Sequence, residues 1–144
     1  MTTIVYKDGV IACDSRQTEY DRIINDSANK IEIYRDAIFV FAGNVDTIQE
    51  CVKYFFDEIS SFTRNSGTCS GLCYYNTDLI KLGYNEDNGY WQQIWDKNVP
   101  YTLGSGRDHA MTAIDLGCSP KEAVKMAMKR DSSSGGRIRE IKLW

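Results

Sequence analysis

Residues 2–14 read TTIVYKDGVIACD. Two apolar, β-branched runs, TTIVY and VIACD, flank Lys7-Asp8-Gly9. An Asp-Gly pair between such runs is a strong hairpin signal, because Gly9 takes positive φ without steric cost. The chain therefore opens on an antiparallel pair. A second hairpin follows at Arg35-Asp36, between NKIEIY and AIFVFAG. AIFVFA is continuously apolar and reads as a strand covered on both faces. Four strands are expected before the first helix.

The period then changes. In residues 44–62, Ile48, Cys51, Val52, Phe55, Phe56, Ile59 and Phe62 fall on one helical stripe. Asp46 is the expected N-cap, with Gln49 three residues on. TRNSGTCSG (63–71) reads as a polar connection. Strand-like runs LCYYN, DLIKLGY, YWQQI and VPYTL come next, with NEDNG as a turn between two of them. A glycine turn, GSG, opens a helix that stops at Gly117. Ser119, Pro120 and Glu122 form a capping box with proline at the first helical position. RIREIKLW is a last strand. Nothing divides residues 1–144, so a single domain is expected. Strands, helix, strands, two helices and strand suit an α+β fold. The layered solution is an αββα sandwich: two stacked, mainly antiparallel sheets with helices outside.

Composition sets further bounds. The 144 residues are 42% hydrophobic, enough for a real core. The net charge of −3 argues against a nucleic-acid binder. No apolar run is long enough to span a bilayer, and a secretory signal pattern is missing, so a cytoplasmic location is expected. Cys13, Cys51, Cys69, Cys73 and Cys118 are an odd, scattered set that reads as reduced thiols. Cys69 and Cys73 lack the partners of a zinc site, so no metal and no cofactor are expected. His109 is the one histidine, which leaves little room for a histidine-based triad.

A hydroxyl nucleophile needs a base, and an N-terminal threonine carries one in its own α-amine. That amine has an unperturbed pKa of about 7.7–8.0, so a useful fraction is neutral near neutral pH. Thr2 becomes N-terminal once Met1 is removed.

TTIVYKDGVIACDSRQT, the NK of SANKIEIY, the FAG of IFVFAGN, the GSG of YTLGSGRD and RDSSSGG occur in the order expected of a proteasome-type peptidase. The whole chain resembles the catalytic β-subunits of the proteasome and the bacterial HslV-type peptidase, members of the N-terminal nucleophile hydrolases. The match is specific over residues 2–47 and 101–137. The resemblance implies Thr2 as nucleophile and Lys30 as the catalytic lysine, held charged by Asp14. Such a lysine would lower the pKa of the Thr2 amine and keep it neutral as a base. It also implies Gly43 as the backbone donor of an oxyanion hole. Ser105, Asp131 and Ser134 become a hydrogen-bonded group around the terminal amine. Thr18 becomes a backbone partner of bound peptide, and Gln17, Phe41 and Val45 line the pocket for the residue before the cut.

The implied activity is that of a threonine endopeptidase on peptides or unfolded proteins. The implied assembly is a homo-oligomeric ring, with an ATP-dependent unfoldase as its feeder. Two other readings stay open: an inactive relative kept for assembly or interaction, and an amidohydrolase of small molecules on the same fold. One departure stands out. A second long helix of the relatives has no counterpart, and residues 63–71 stand in its place.

Overall fold

The computed structural model describes residues 2–63 and 67–144. It divides into two compact units. One takes the segments up to Lys30 and from Asp96 onward; the other is Ile31–Trp95.

The first unit is built on the opening hairpin. Strands β1 (Thr3–Lys7) and β2 (Val10–Cys13) pair antiparallel, with Ile4 opposite Cys13 and Lys7 opposite Val10. Asp8 and Gly9 close the turn with φ of 49° and 79°, the backbone that a two-residue hairpin turn requires. Strands β10 (Tyr101–Gly104) and β11 (Arg139–Lys142) flank the pair, giving the order β10-β1-β2-β11. Helices α2 (Arg107–Asp115) and α3 (Pro120–Met128) cover one face of this sheet. Val5 and Ala12 pack there against Ala110, Ala113, Ile114, Ala123, Val124 and Ala127. Small helix residues let the helices approach closely. The capping box of α3 is present as expected: Ser119 Oγ accepts from Glu122 N–H, and Glu122 accepts from Ser119 N–H.

The first unit also holds a hairpin that the sequence pattern did not announce, β3 (Gln17–Glu19) with β4 (Arg22–Asn25). Its turn runs through Tyr20, at φ 55°, with no glycine or proline to mark it. Six strands, not four, therefore precede the first helix.

In the second unit, β5 (Ile31–Tyr34), β6 (Ala37–Gly43), β7 (Cys69–Tyr75), β8 (Asp78–Asn85) and β9 (Gly89–Ile94) form one antiparallel sheet in chain order. Helix α1 (Val45–Phe55) packs on it through Cys51 and Val52, against Phe39, Phe41, Cys69, Cys73 and Leu82. Two local expectations are corrected. The N-cap is Asn44, not Asp46: the Asn44 side chain accepts from Thr47 N–H at 3.1 Å. The helix ends at Phe55, because Asp57 adopts φ 58°, which no α-helix continues. Phe62 still serves the core, stacked on Tyr84 with ring centroids 4.0 Å apart. Of the connection at 63–71, residues 64–66 lie outside the described residues, whereas Cys69, Ser70 and Gly71 belong to β7. No described helix is long and apolar enough to cross a membrane.

Candidate active site

The sheet order of the first unit brings distant stretches to one end. β1 pairs with β10 so that Thr3 faces Gly104, and this sets Thr2 beside Ser105. β1 pairs with β2 so that Ile4 faces Cys13, and this sets Thr3 beside Asp14. The turn after α3 closes on the same end through Gly135, whose N–H donates to Asp14 Oδ2 at 3.0 Å and whose carbonyl accepts from Ser15 N–H at 3.0 Å.

Asp14 is fully buried. A buried carboxylate is stable only if its oxygens are satisfied. Here Oδ1 accepts from Lys30 Nζ at 2.8 Å and from Thr3 N–H at 3.1 Å. Oδ2 accepts from Gly135 N–H and from Arg16 N–H at 3.2 Å. Lys30 Nζ also lies 2.6 Å from Thr2 Oγ1. One ammonium group therefore bridges a buried carboxylate and a threonine hydroxyl. The neighbouring Cys13 thiol is pushed up to about 12, chiefly by burial, with the Lys30 charge acting in the opposite direction.

A second chain of polar groups starts at the Thr2 nitrogen, which donates to Ser105 Oγ at 3.1 Å. Ser105 Oγ donates to Asp131 Oδ2 at 2.6 Å, and Ser134 Oγ donates to the same oxygen at 2.6 Å. Thr3 Oγ1 lies 2.7 Å from Ser134 Oγ, deep in the unit. Partial burial pushes the Asp131 carboxyl up. The hydroxyls of Ser105 and Ser134 and the Ser133 N–H more than offset this, and the carboxyl sits below its ordinary value. SSSGG is thus an ordered turn. Arg16 braces it: the guanidinium forks onto Asp26 at 2.9 and 3.1 Å and donates to the Ser132 carbonyl at 3.0 Å.

Close approach fixes Thr2 from the other side. Gly104 has φ 96°, and a Cβ there would collide with the Thr2 carbonyl. Gly106 N–H donates to that carbonyl at 3.3 Å. Thr2 is 4% exposed, so the residue is held rather than frayed. While Met1 is attached, the Thr2 nitrogen is a peptide N–H and only a donor. Once Met1 is removed, the same nitrogen is an amine with a lone pair beside its own hydroxyl. Met1 itself lies outside the described residues.

No family model matches the sequence. A curated relative does: the "probable proteasome subunit beta type-1" of Schizosaccharomyces pombe is 29% identical over 175 positions, covering 98% of this chain and 77% of the relative. Solved structures of BPH from Thiobacillus denitrificans superpose with a TM-score of 0.66 for its complex with epoxomicin and 0.65 for BPH alone. Both are 16% identical and cover 99% of this chain and 98% of the other. The chain is thus similar in sequence to a proteasome β-type subunit and shares the fold of the BPH structures.

Of the residues that the proteasome-like motifs single out, Thr2, Asp14, Lys30, Ser105, Asp131 and Ser134 meet in the first unit, within the two chains of polar contacts above. Gln17 and Thr18 stand on β3 of the same unit. Gly43, Phe41 and Val45 belong to the second unit. Gly43 ends β6 at φ 127°, where a Cβ would strike the Thr68 carbonyl and Cys69, so only glycine fits. Phe41 is buried and stacks on Phe39 at 5.9 Å. Val45 is the first residue of α1 and is exposed.

Sequence reasoning passed over Thr3, Arg16 and Gly135. Thr3 ties Asp14 to Ser134, and Arg16 and Gly135 hold the turn. The signals were present as the second threonine of TT, the arginine of DSRQT and the glycines of SSSGG.

Proposed function

We propose that the protein is a threonine endopeptidase that hydrolyses peptide bonds of unfolded proteins or peptides, with Thr2 as nucleophile after Met1 removal. The observation that carries this reading is Lys30 Nζ, 2.6 Å from Thr2 Oγ1 and 2.8 Å from Asp14 Oδ1. The arrangement suits a hydroxyl that must become an alkoxide-like nucleophile.

In this reading the Thr2 hydroxyl attacks the scissile carbonyl and its proton passes to the Thr2 amine. The Lys30 charge stabilises the negative charge left on Oγ1. Collapse of the tetrahedral species expels the amine product, which takes the proton from the Thr2 ammonium and leaves an ester on Thr2. Water, deprotonated by the same amine, hydrolyses the ester and restores the hydroxyl. Ser105, oriented by Asp131, holds the nitrogen in place. The oxyanion role falls to the Gly43 N–H by resemblance. A donor of that kind is typically worth about 10²–10³ in kcat. Thr18 would pair with the bound peptide backbone, and Gln17, Phe41 and Val45 would shape the pocket.

The same resemblance supports a single domain over residues 1–144, a homo-oligomeric ring, an ATP-dependent unfoldase as partner and a cytoplasmic location. A panel of fluorogenic peptides tests the activity. Turnover that is blocked by epoxomicin, the compound bound to the Thiobacillus denitrificans protein, is the expected result. Hydrolysis confined to small non-peptide amides would overturn the endopeptidase reading.

A further inference from the structure

The second unit holds a pair of thiols that the proposed chemistry does not use. Cys51 lies on the buried face of α1, and Cys69 opens β7. Their sulfurs are 3.2 Å apart, inside the core and 18 residues apart in sequence. Both thiols are free. A disulfide bond needs the two sulfurs at about 2.03–2.05 Å, so closure asks for a movement of roughly 1 Å.

We propose that Cys51 and Cys69 are a redox modification site, which a hydroperoxide converts into a reversible disulfide that fastens α1 to β7 beside Gly43. The proposal is independent of the peptidase reading.

The two sulfurs are not equivalent. Their shared hydrogen bond holds the Cys51 thiol well above its ordinary value. The same bond, helped by the Tyr84 backbone, holds the Cys69 thiol below its own despite burial. Cys69 is thus the better thiolate, and it keeps 6% exposure whereas Cys51 has none. The thiolate is the form that reacts with a peroxide. Its attack on the peroxide oxygen breaks the O–O bond, gives a sulfenic acid on Cys69 and releases an alcohol or water. The Cys51 sulfur then attacks that sulfenic sulfur. The S–S bond forms and a second water leaves, carrying the Cys51 proton. Two thiols are oxidised and one hydroperoxide is reduced, and a dithiol reverses the step by exchange.

Cys73, further along β7, does not compete. Burial pushes its thiol up to about 12 and leaves almost no thiolate. Cys69 pairs with Gly43 in the sheet, and its Cα and Cβ occupy the space that a side chain at Gly43 would need. The bond would form directly beside that glycine.

The test uses the full chain treated with hydrogen peroxide, quenched, denatured and alkylated with N-ethylmaleimide. The untreated protein takes five labels, one per cysteine. The treated protein is expected to take two fewer, to yield a peptide cross-linked between Cys51 and Cys69, and to regain its labels after dithiothreitol. Its thermal midpoint is expected to rise on oxidation, because the closed loop restricts the unfolded chain. Cys69→Ser should abolish the label loss; Cys51→Ser should abolish the cross-link and lose at most the single Cys69 label; Cys73→Ser and Cys118→Ser should keep both the cross-link and the loss of two labels. Full labelling after peroxide, a cross-link through any other cysteine, or an oxidised protein with an unraised midpoint would overturn the proposal. The wild-type peptide map decides the linkage even if a serine variant fails to fold.

Discussion

Lys30 Nζ stands 2.6 Å from the hydroxyl oxygen of Thr2. The contact is made by a side chain that is only 11% exposed and that also holds the fully buried Asp14. Lys30→Met removes the cation from both partners. Peptidase kcat is expected to fall by about 10²–10³, the typical worth of a group that stabilises charge developing at the reacting atom. Stability is expected to fall by about 3–5 kcal/mol, because an uncompensated carboxylate stays buried. Peptide turnover and urea unfolding on the same preparation check both. Wild-type turnover in this variant would remove Lys30 from the mechanism.

Thr3 supports the site without facing substrate in the proposed reaction. Its hydroxyl lies 2.7 Å from Ser134 Oγ and joins β1 to the turn after α3. Thr3→Val keeps the shape and removes the hydrogen bond. A loss of about 0.5–1.5 kcal/mol is expected in chemical unfolding. An unchanged midpoint would mean that the contact is not formed in solution.

Gly104 tests the backbone of the same end of the sheet. At φ 96°, with the Thr2 carbonyl in the place of a side chain, Gly104→Ala meets both strain and collision. Strain alone costs on the order of 1–3 kcal/mol. The variant is expected to unfold at least that much more easily, and to lose turnover as Thr2 is displaced. A variant as stable as the parent would contradict the close approach.

Asp131 gives a pH dependence. Its carboxyl is held below the ordinary value in the folded state. A depressed carboxyl contributes stability above its unfolded pKa, about 3.9. That contribution is lost as pH falls through the lower folded value. Thermal midpoints measured from pH 6 down to pH 2 should therefore drop more steeply in the parent than in Asp131→Asn. Parallel curves would show that Asp131 carries no such linkage.

Local chemistry made much of the fold legible. Asp8-Gly9 and the Ser119–Glu122 capping box follow rules that need only neighbouring residues, and both occur as expected. The failures lie where tertiary contacts overrode the pattern. The stripe from Ile48 to Phe62 is continuous in sequence, yet the helix stops at Phe55 and Phe62 reaches the core from a separate segment by stacking on Tyr84. CSG hid the start of β7 because Gly71 carries no side chain to signal a strand. The structure supplies the reason: the Phe41 ring covers the place where its Cβ would be. For the site, motif order named six residues that lie together in one unit. Thr3, Arg16 and Gly135 stayed hidden because they act on other protein groups, and only the three-dimensional register shows which groups those are.

In the proposed reaction Thr2 works as an N-terminal nucleophile. The most direct test of this role pairs peptide turnover with the intact mass of the same sample, for the parent and for Thr2→Ala. The active parent is expected to lack Met1, and Thr2→Ala, folded and equally trimmed, is expected to have no turnover above background. Turnover that survives in Thr2→Ala, or a fully active protein that still carries Met1, would contradict this role.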